Sequence, residues 1–445
     1  MSRASAVVDT SARDPLLLAG CGLALPLGWA AGAGHGAPLL AATLAAAAVA
    51  VVLGARQFPL LAMVPPALAA MLQGSYAWLP YLSLVPLLLV VVPRSTRSAS
   101  IPEQAHTGDP LLRLSALLLV TLSAVHAIRT QEAGIGLLVQ IAYLGFAASL
   151  VAPFFRRFGS PAATRSAVIF TAAATAAAYL AVVVPTALSQ GAHAWAFARE
   201  NPTWANPNTL GLYFLIALAV PLHAIAAGRG RPASWVSAVL LAAATAGTFS
   251  RSAYIGLAAM VLILLSRSRR ALFMLGPPLI LLILNLPSVV VDRIQYTSAT
   301  GVLDASSGTR LKLWAAAGQI ALDNPITGVG IHNLGSQLRE AGAPGTFTFA
   351  HNSYLTAAAS FGLLIPLLIV FIVSMRLARR AWTRTQASDS YGQGPRQQRP
   401  AQRVPSEFTL ALAATLVCSF FGEPLLSPIV FLPLIALFVV REQVH

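Results

Sequence analysis

The sequence predicts an all-α polytopic membrane protein with about 12 transmembrane helices (range about 11–14) and one large external loop containing short helices. Three observations carry that prediction: apolar runs recur from end to end, charged residues are scarce, and the arginines cluster between the runs. Hydrophobic residues make up 57% of the 445, charged residues 10%, and mean hydropathy is +0.72. A soluble globular domain is nearer a quarter charged. One helical bundle in lipid therefore accounts for the length better than two or three soluble domains.

Apolar runs lie near 15–32, 37–54, 58–72, 76–92, 111–128, 134–154, 166–188, 207–228, 233–249, 252–266, 271–287, 352–374, 407–422 and 425–440. Several are shorter than the roughly 20 residues that a full span needs, which makes re-entrant or broken helices the expectation there. The first run resembles a signal peptide, but acidic residues in its leader and the many later spans favour a retained helix. Cys21 and Cys418 fall inside apolar stretches and read as small hydrophobes.

The net charge of +15 is distributed as the positive-inside rule distributes it. Lys312 is the one lysine among 29 basic residues. Most arginines sit in short inter-span clusters: Arg94 and Arg97, Arg156, Arg157 and Arg165, Arg229 and Arg231, Arg267 to Arg270, Arg376 to Arg384, Arg396 to Arg403. Placing these in the cytoplasm puts both termini there too. Such a pattern argues against a nucleic-acid groove. It leaves 288–351 as a large loop facing the periplasm or cell exterior and 189–206 as a shorter one on the same side, while the Gln/Arg/Pro-rich stretch near 386–405 reads as a disordered cytoplasmic loop. The chain divides into N-terminal transmembrane helices (1–200), further transmembrane helices (201–287), the large loop (288–351) and C-terminal transmembrane helices (352–445).

Within the loop, Ser306-Ser307-Gly308-Thr309 reads as a helix start, followed by a helix from Arg310 to Leu322. That helix carries Leu311, Trp314, Ala315 and Gly318 at helical spacing, with Trp314 suited to the membrane interface. Asn324-Pro325 stops it, and Gly328-Val329-Gly330 makes a tight turn. His351 then stands where the next helix begins, at the hydrated mouth of the bundle. A neutral imidazole there is a competent general base, typically worth about 10²–10⁴ in rate, although a capping or interface histidine is the plainer reading. His332 and His193 also lie outside.

Arg251, in Thr248-Phe249-Ser250-Arg251-Ser252-Ala253, stands apart from the positive-inside clusters and suggests an anionic partner. Its guanidinium can bond two phosphate oxygens at once; the plainer reading is a snorkelling helix anchor. Asn206-Pro207-Asn208-Thr209-Leu210-Gly211 is an ordinary helix start. No P-loop, dinucleotide fingerprint or zinc site is present, and the external carboxylates (Glu200, Asp292, Asp304, Asp323, Glu340, Glu423) are too scattered for paired metal ligands.

In this order the pieces resemble the bacterial O-antigen ligase/polymerase superfamily. Its shared region runs from an Asn-Pro-Asn helix start (Asn206 to Gly211) through a Ser-Arg-Ser turn (Ser250 to Ala253). A Gly-x-Arg-Leu-x-x-Trp helix (Gly308 to Trp314), an Asn-Pro-x-x-Gly-x-Gly turn (Asn324 to Gly330) and His351-Asn352 follow. The resemblance covers roughly 200 to 375 and implies a GT-C type fold in the inner membrane. It also implies glycan transfer from an undecaprenyl-diphosphate-linked O-antigen donor, with no cofactor, nucleotide or metal. Three activities share the region: O-antigen ligase, acting on a sugar hydroxyl of lipid A-core oligosaccharide; O-antigen polymerase; and protein O-oligosaccharyltransferase.

Ligases resemble one another in a His-[Asn/Ser/Gln] pair followed nine residues later by Gly-x-x-[Gly/Thr/Tyr]. Here His351-Asn352 precedes Gly362 at that spacing, but Ile365 fills the last place. The single dominant external loop favours ligase among the three. The roles implied are His351 as catalytic base, Arg251, Arg310 and Arg199 as diphosphate-binding groups, and Asn206, Asn208 and Tyr354 as substrate-positioning groups. A membrane transporter is the competing class; it predicts inverted repeats and ionisable residues at mid-span, and neither is evident here.

Overall fold

The computed structural model describes residues 160–198, 206–268, 305–331, 333–343, 347–363, 404–422 and 427–444, with single positions at 63, 64, 67, 70, 154, 155, 271 and 273. Among the described residues there are nine helices and no strand: α1 (Pro161–Ala198), α2 (Pro207–Ala226), α3 (Pro232–Gly247), α4 (Arg251–Arg267), α5 (Ala305–Asp323), α6 (Leu334–Glu340), α7 (Ser353–Phe361), α8 (Glu407–Cys418) and α9 (Pro428–Val444). Two segments, Pro161–Thr186 and Pro207–Ala226, are long and apolar enough to cross a membrane. The apolar runs near 15–32, 37–54, 76–92 and 111–128 lie outside the described residues. So do nearly all of 58–72, 134–154 and 271–287, and the loop expected near 386–405 apart from its last two residues.

The bundle is organised around α2. Every residue from Leu210 to Leu222 is buried, the signature of a helix that is apolar all round and has neighbours on every side. Those neighbours are α1, α3, α4, α8 and α9. Asn206 caps the helix by accepting from the Asn208 N–H, and Pro207 occupies the first turn, where its missing donor is harmless. Two glycines set how closely the helices meet. A Cβ on Gly211 would fall 2.7 Å from Ala253 Cβ, and one on Gly256 would fall 2.8 Å from Cys418 Sγ. Small residues here let α4 press against both α2 and α8, the usual basis of helix association in lipid.

Several buried hydroxyls are satisfied within their own helices. Thr171, Thr175, Thr245, Thr415 and Ser419 each donate to the carbonyl four residues back, at 2.7–2.9 Å. In an apolar interior this removes the cost of an unpaired polar group. Tyr179 OH donates to Gly247 O (2.8 Å) and Tyr254 OH to Ala246 O (2.7 Å), so the last carbonyls of α3 also find partners.

Residues 305–363 build a second, smaller core. Leu313, Ala316, Ala317, Ile320 and Ala321 of α5 meet Leu334 and Leu338 of α6, Ala350, and Ala358 and Ala359 of α7. The helix expected from Arg310 starts earlier, at Ala305, so Ser306 to Thr309 are already helical. Its buried face is formed by Leu313, Ala316, Ala317 and Ile320, while Leu311 is 50% exposed. The packing partner, α7, selects that stripe. Trp314 is half-buried, with its ring 6.3 Å from that of Phe421.

Two further expectations need correction. α1 continues to Ala198, beyond the apolar run that ends near 188, so the start of the shorter external loop is helical. The apolar run 352–374 is not one continuous helix either, because α7 ends at Phe361 with Gly362 at φ +81. The Asn324–Gly330 turn docks there: Val329 N–H donates to Ala359 O (2.9 Å), Gly330 N–H to Ser360 O (2.9 Å), and Leu363 N–H to Pro325 O (2.7 Å). A Cβ at Gly328 (φ +64) would strike the Ser360–Phe361 backbone, and one at Gly362 would strike the Ile326 carbonyl. Only glycine fits either place.

The helices run so that two polar ends separate. Arg165, His223, Arg229 and Glu407 gather at one end of α2, and Asn206, Asn208, Ser250 and Arg251 at the other.

Candidate active site

The site is assembled from two halves. The first lies where α2 begins and α4 begins. α3 and α4 are joined by only Thr248, Phe249 and Ser250, and the turn closes because Phe249 adopts φ +49. Thr248 Oγ1 donates to Thr245 O (2.7 Å) and accepts from Ser250 N–H (3.3 Å). Ser250 then caps α4 by accepting from Ala253 N–H (3.2 Å), which makes Arg251 the first residue of that helix. Asn208 ties the turn to α2. Its Oδ1 accepts from Ser250 Oγ (2.7 Å) and from Ser252 Oγ (3.3 Å), and the two serine hydroxyls are 2.8 Å apart. The Asn-Pro-Asn and Ser-Arg-Ser motifs are thus one hydrogen-bonded unit. Arg251 is half-buried, flanked by serines that Asn208 holds in place, at a helix N-terminus suited to an anion.

The second half lies where α7 begins. Asn352 caps the helix, its Oδ1 accepting from Tyr354 N–H (3.0 Å) and Leu355 N–H (3.1 Å). His351 precedes the cap at φ +55 and is half-buried, its ring 5.2 Å from Phe347 in an edge-on contact. The loop before it folds back through Ala350 N–H, which donates to Thr356 Oγ1 (3.2 Å). Among the described residues, the non-glycine positions with positive φ are Phe249 and His351, one in each half. Such backbone costs on the order of 1–3 kcal/mol and persists where its surroundings over-determine it, commonly at functional sites. The nine-residue interval between His351-Asn352 and Gly362 is the length of α7, capped by asparagine at one end and left-handed glycine at the other.

A third element joins the halves, and sequence reasoning missed it: the end of α8, Leu416 to Gly422. Cys418 Sγ–H donates to Ser252 O (3.1 Å), reaching the first half. Ser353 N–H donates to Ser419 O (2.8 Å) and Ser353 Oγ to Gly422 O (2.9 Å), reaching the second. Tyr354 OH donates to Leu416 O (2.9 Å), and its ring lies 4.7 Å from that of Phe420. The hydroxyl of Tyr354 therefore anchors α7 to α8. The Cys-Ser-Phe-Phe-Gly end of the apolar run 407–422 was the available signal.

Of the residues expected at the site, Asn206, Asn208 and Arg251 belong to the first half, and His351 and Tyr354 to the second. Arg310 is on α5, which packs against α7, and it is half-buried. Arg199, His332 and the side chain of His193 lie outside the described residues, as does Ile365. Among the described residues, no three His, Cys, Asp or Glu side chains are grouped so that they could hold a metal ion.

No curated protein matches the chain. A family model described as O-antigen ligase matches residues 236–372, a stretch that begins within α3 and contains Arg251, Arg310, His351 and Gly362 but not Asn208 or the end of α8. Over this stretch, about a third of its length, the chain is similar to the O-antigen ligase family.

Proposed function

We propose that the protein is an O-antigen ligase of the bacterial inner membrane, multi-pass and of GT-C type, with both termini cytoplasmic. It transfers a polysaccharide from undecaprenyl diphosphate to a sugar hydroxyl of lipid A-core oligosaccharide at the periplasmic face, completing lipopolysaccharide. The family match over 236–372 supports a glycosyltransferase-type enzyme with polysaccharide and lipid A-core partners in general. The supporting observation is the joint attachment of Arg251's serine-flanked helix start and His351's helix to one short turn, 416–422.

In this reading His351 accepts the proton of the acceptor hydroxyl. The acceptor oxygen forms a bond to the anomeric carbon as the bond from that carbon to the diphosphate oxygen breaks, with inversion. The electron pair leaves on undecaprenyl diphosphate, whose charge is held by Arg251, Arg310 and Arg199. Asn206 and Asn208 position the site from α2, and Tyr354 from α7. Fixed cations that hold the diphosphate more tightly as its charge grows accelerate the reaction, because only that added binding lowers the barrier.

The test is lipopolysaccharide profiling of a deletion strain. Ligase predicts loss of polymer-bearing lipopolysaccharide while lipid-linked polymer accumulates. A ladder truncated to a single repeat would instead indicate polymerase, and unchanged lipopolysaccharide with unglycosylated protein would indicate protein O-oligosaccharyltransferase. Complementation with His351→Ala should fail although the variant reaches the membrane in normal amounts. Full complementation would overturn the base assignment.

A further inference from the structure

We infer that the exit turn of α8, Leu416 to Gly422, sets the separation between His351 and Arg251, with Ser353 and Cys418 as positioning residues. This rests on the proposed transferase reading, in which the base and the diphosphate-binding arginine must act on one substrate.

The two halves come from stretches about 100 residues apart in sequence, and each is built on a short, strained turn. Reacting groups held on such turns need an external reference, because a displacement near 1 Å costs about 10²-fold in rate. The exit turn supplies that reference from both sides. Towards α4, Cys418 donates to the Ser252 carbonyl (3.1 Å), one residue from Arg251, and its sulfur fills the space that the missing side chain of Gly256 leaves open. Towards α7, Ser353 uses both of its donors on this turn, the N–H on Ser419 O (2.8 Å) and the hydroxyl on Gly422 O (2.9 Å), two residues from His351. Tyr354 adds a third bond, to Leu416 O. The folded loop is attached here too, through Trp314 against Phe421.

Ser353, Ser419 and Cys418 are buried, at 6%, 0% and 2% exposure, so these bonds compete little with water. Three of the four acceptors are carbonyls at the end of α8, whose last carbonyls lack helical partners. The turn thus meets its own hydrogen-bonding need by holding α7. Bonds of this kind transmit position without touching the substrate.

The experiment uses the full-length protein in nanodiscs, with a polyprenyl-diphosphate-linked glycan as donor and undecaprenyl diphosphate as binding probe. Ser353→Ala should lower kcat roughly 10- to 100-fold. The Kd for undecaprenyl diphosphate should stay within about twofold of wild type, because only the half carrying His351 loosens. Ser353→Thr, which keeps the hydroxyl donor, should recover most of kcat. Cys418→Ala should act on the other half and weaken undecaprenyl diphosphate binding severalfold. Should Ser353→Ala fail to reach the membrane, Tyr354→Phe removes one bond and keeps the ring contact; it should lower kcat by a smaller factor at unchanged Kd. Wild-type kcat and Kd in Ser353→Ala, Tyr354→Phe and Cys418→Ala, alongside an inactive His351→Ala, would overturn the positioning role and leave the transferase reading intact. An active His351→Ala would overturn the transferase reading itself.

Discussion

The two ends of α2 solve the same problem by opposite means. At one end three helices gather around the buried carboxylate of Glu407. Arg165 of α1 donates to Glu407 of α8 (2.6 Å), His223 of α2 stands 3.6 Å from the same carboxylate, and Arg229 reaches His223 (3.2 Å). His223 also bonds the carbonyl of Pro405 (2.8 Å). At the other end the bonds that hold Asn208, Ser250 and Ser252 together all join neutral groups. Removing one member of a buried ion pair strands the other charge, at about 3–5 kcal/mol, whereas removing a neutral hydrogen bond costs about 1 kcal/mol. The ionic end should therefore fail as a folding defect, and the neutral end as an activity defect.

The largest expected effect falls on the neutral end and spares stability. Arg251→Lys keeps the positive charge but loses the planar fork, so transfer should drop by about 10²-fold or more with the melting temperature unchanged. Parallel assays of transfer and thermal unfolding check this. A variant that melts early in proportion to its lost activity would make Arg251 a structural anchor and erase the contrast between the two ends.

Glu407→Ala should give the converse result. The Glu407 side chain is 3% exposed and that of Arg165 is 31% exposed. The stranded guanidinium can thus reach some water, which places the loss near the lower bound, about 3 kcal/mol. Membrane levels and melting temperature should fall, while transfer per folded molecule stays within about twofold of wild type. A smaller loss is expected for Gly211→Ala, whose new methyl would meet Ala253 at 2.7 Å. Overpacking of this kind costs about 1–3 kcal/mol. Because it pushes the Ser-Arg-Ser turn away from Asn208, transfer should decline together with stability, unlike in either preceding variant.

Much of the fold around the site was legible in the sequence. The runs 207–228, 233–249 and 252–266 correspond to α2, α3 and α4 within a few residues, because proline and cap residues mark their starts. Hydropathy does not register a left-handed glycine, so the break at Gly362 was hidden inside an apolar run. Nor does it follow a helix past the end of a continuous apolar run, which is why α1 runs on beyond 188 to Ala198. The residues of both half-sites were identifiable as side chains. Their connection was not, because it is made largely by the main-chain carbonyls of Ser252, Leu416, Ser419 and Gly422, and a carbonyl has no sequence signature.

The smallest effect separates two roles for Asn206. Sequence reasoning assigned it to substrate positioning, yet its Oδ1 accepts from the Asn208 N–H (2.9 Å) as the cap of α2. A cap contributes about 1 kcal/mol, and Asp serves there nearly as well as Asn. Asn206→Ala should therefore lower the melting temperature by a few degrees and transfer by no more than about twofold, and Asn206→Asp should restore both. The residue is exposed, so a carboxylate there stays hydrated and its negative charge suits the helix N-terminus. If both variants lose transfer at an unchanged melting temperature, Asn206 contacts substrate through its amide. The neutral end would then extend one residue further outward than its internal hydrogen bonds trace.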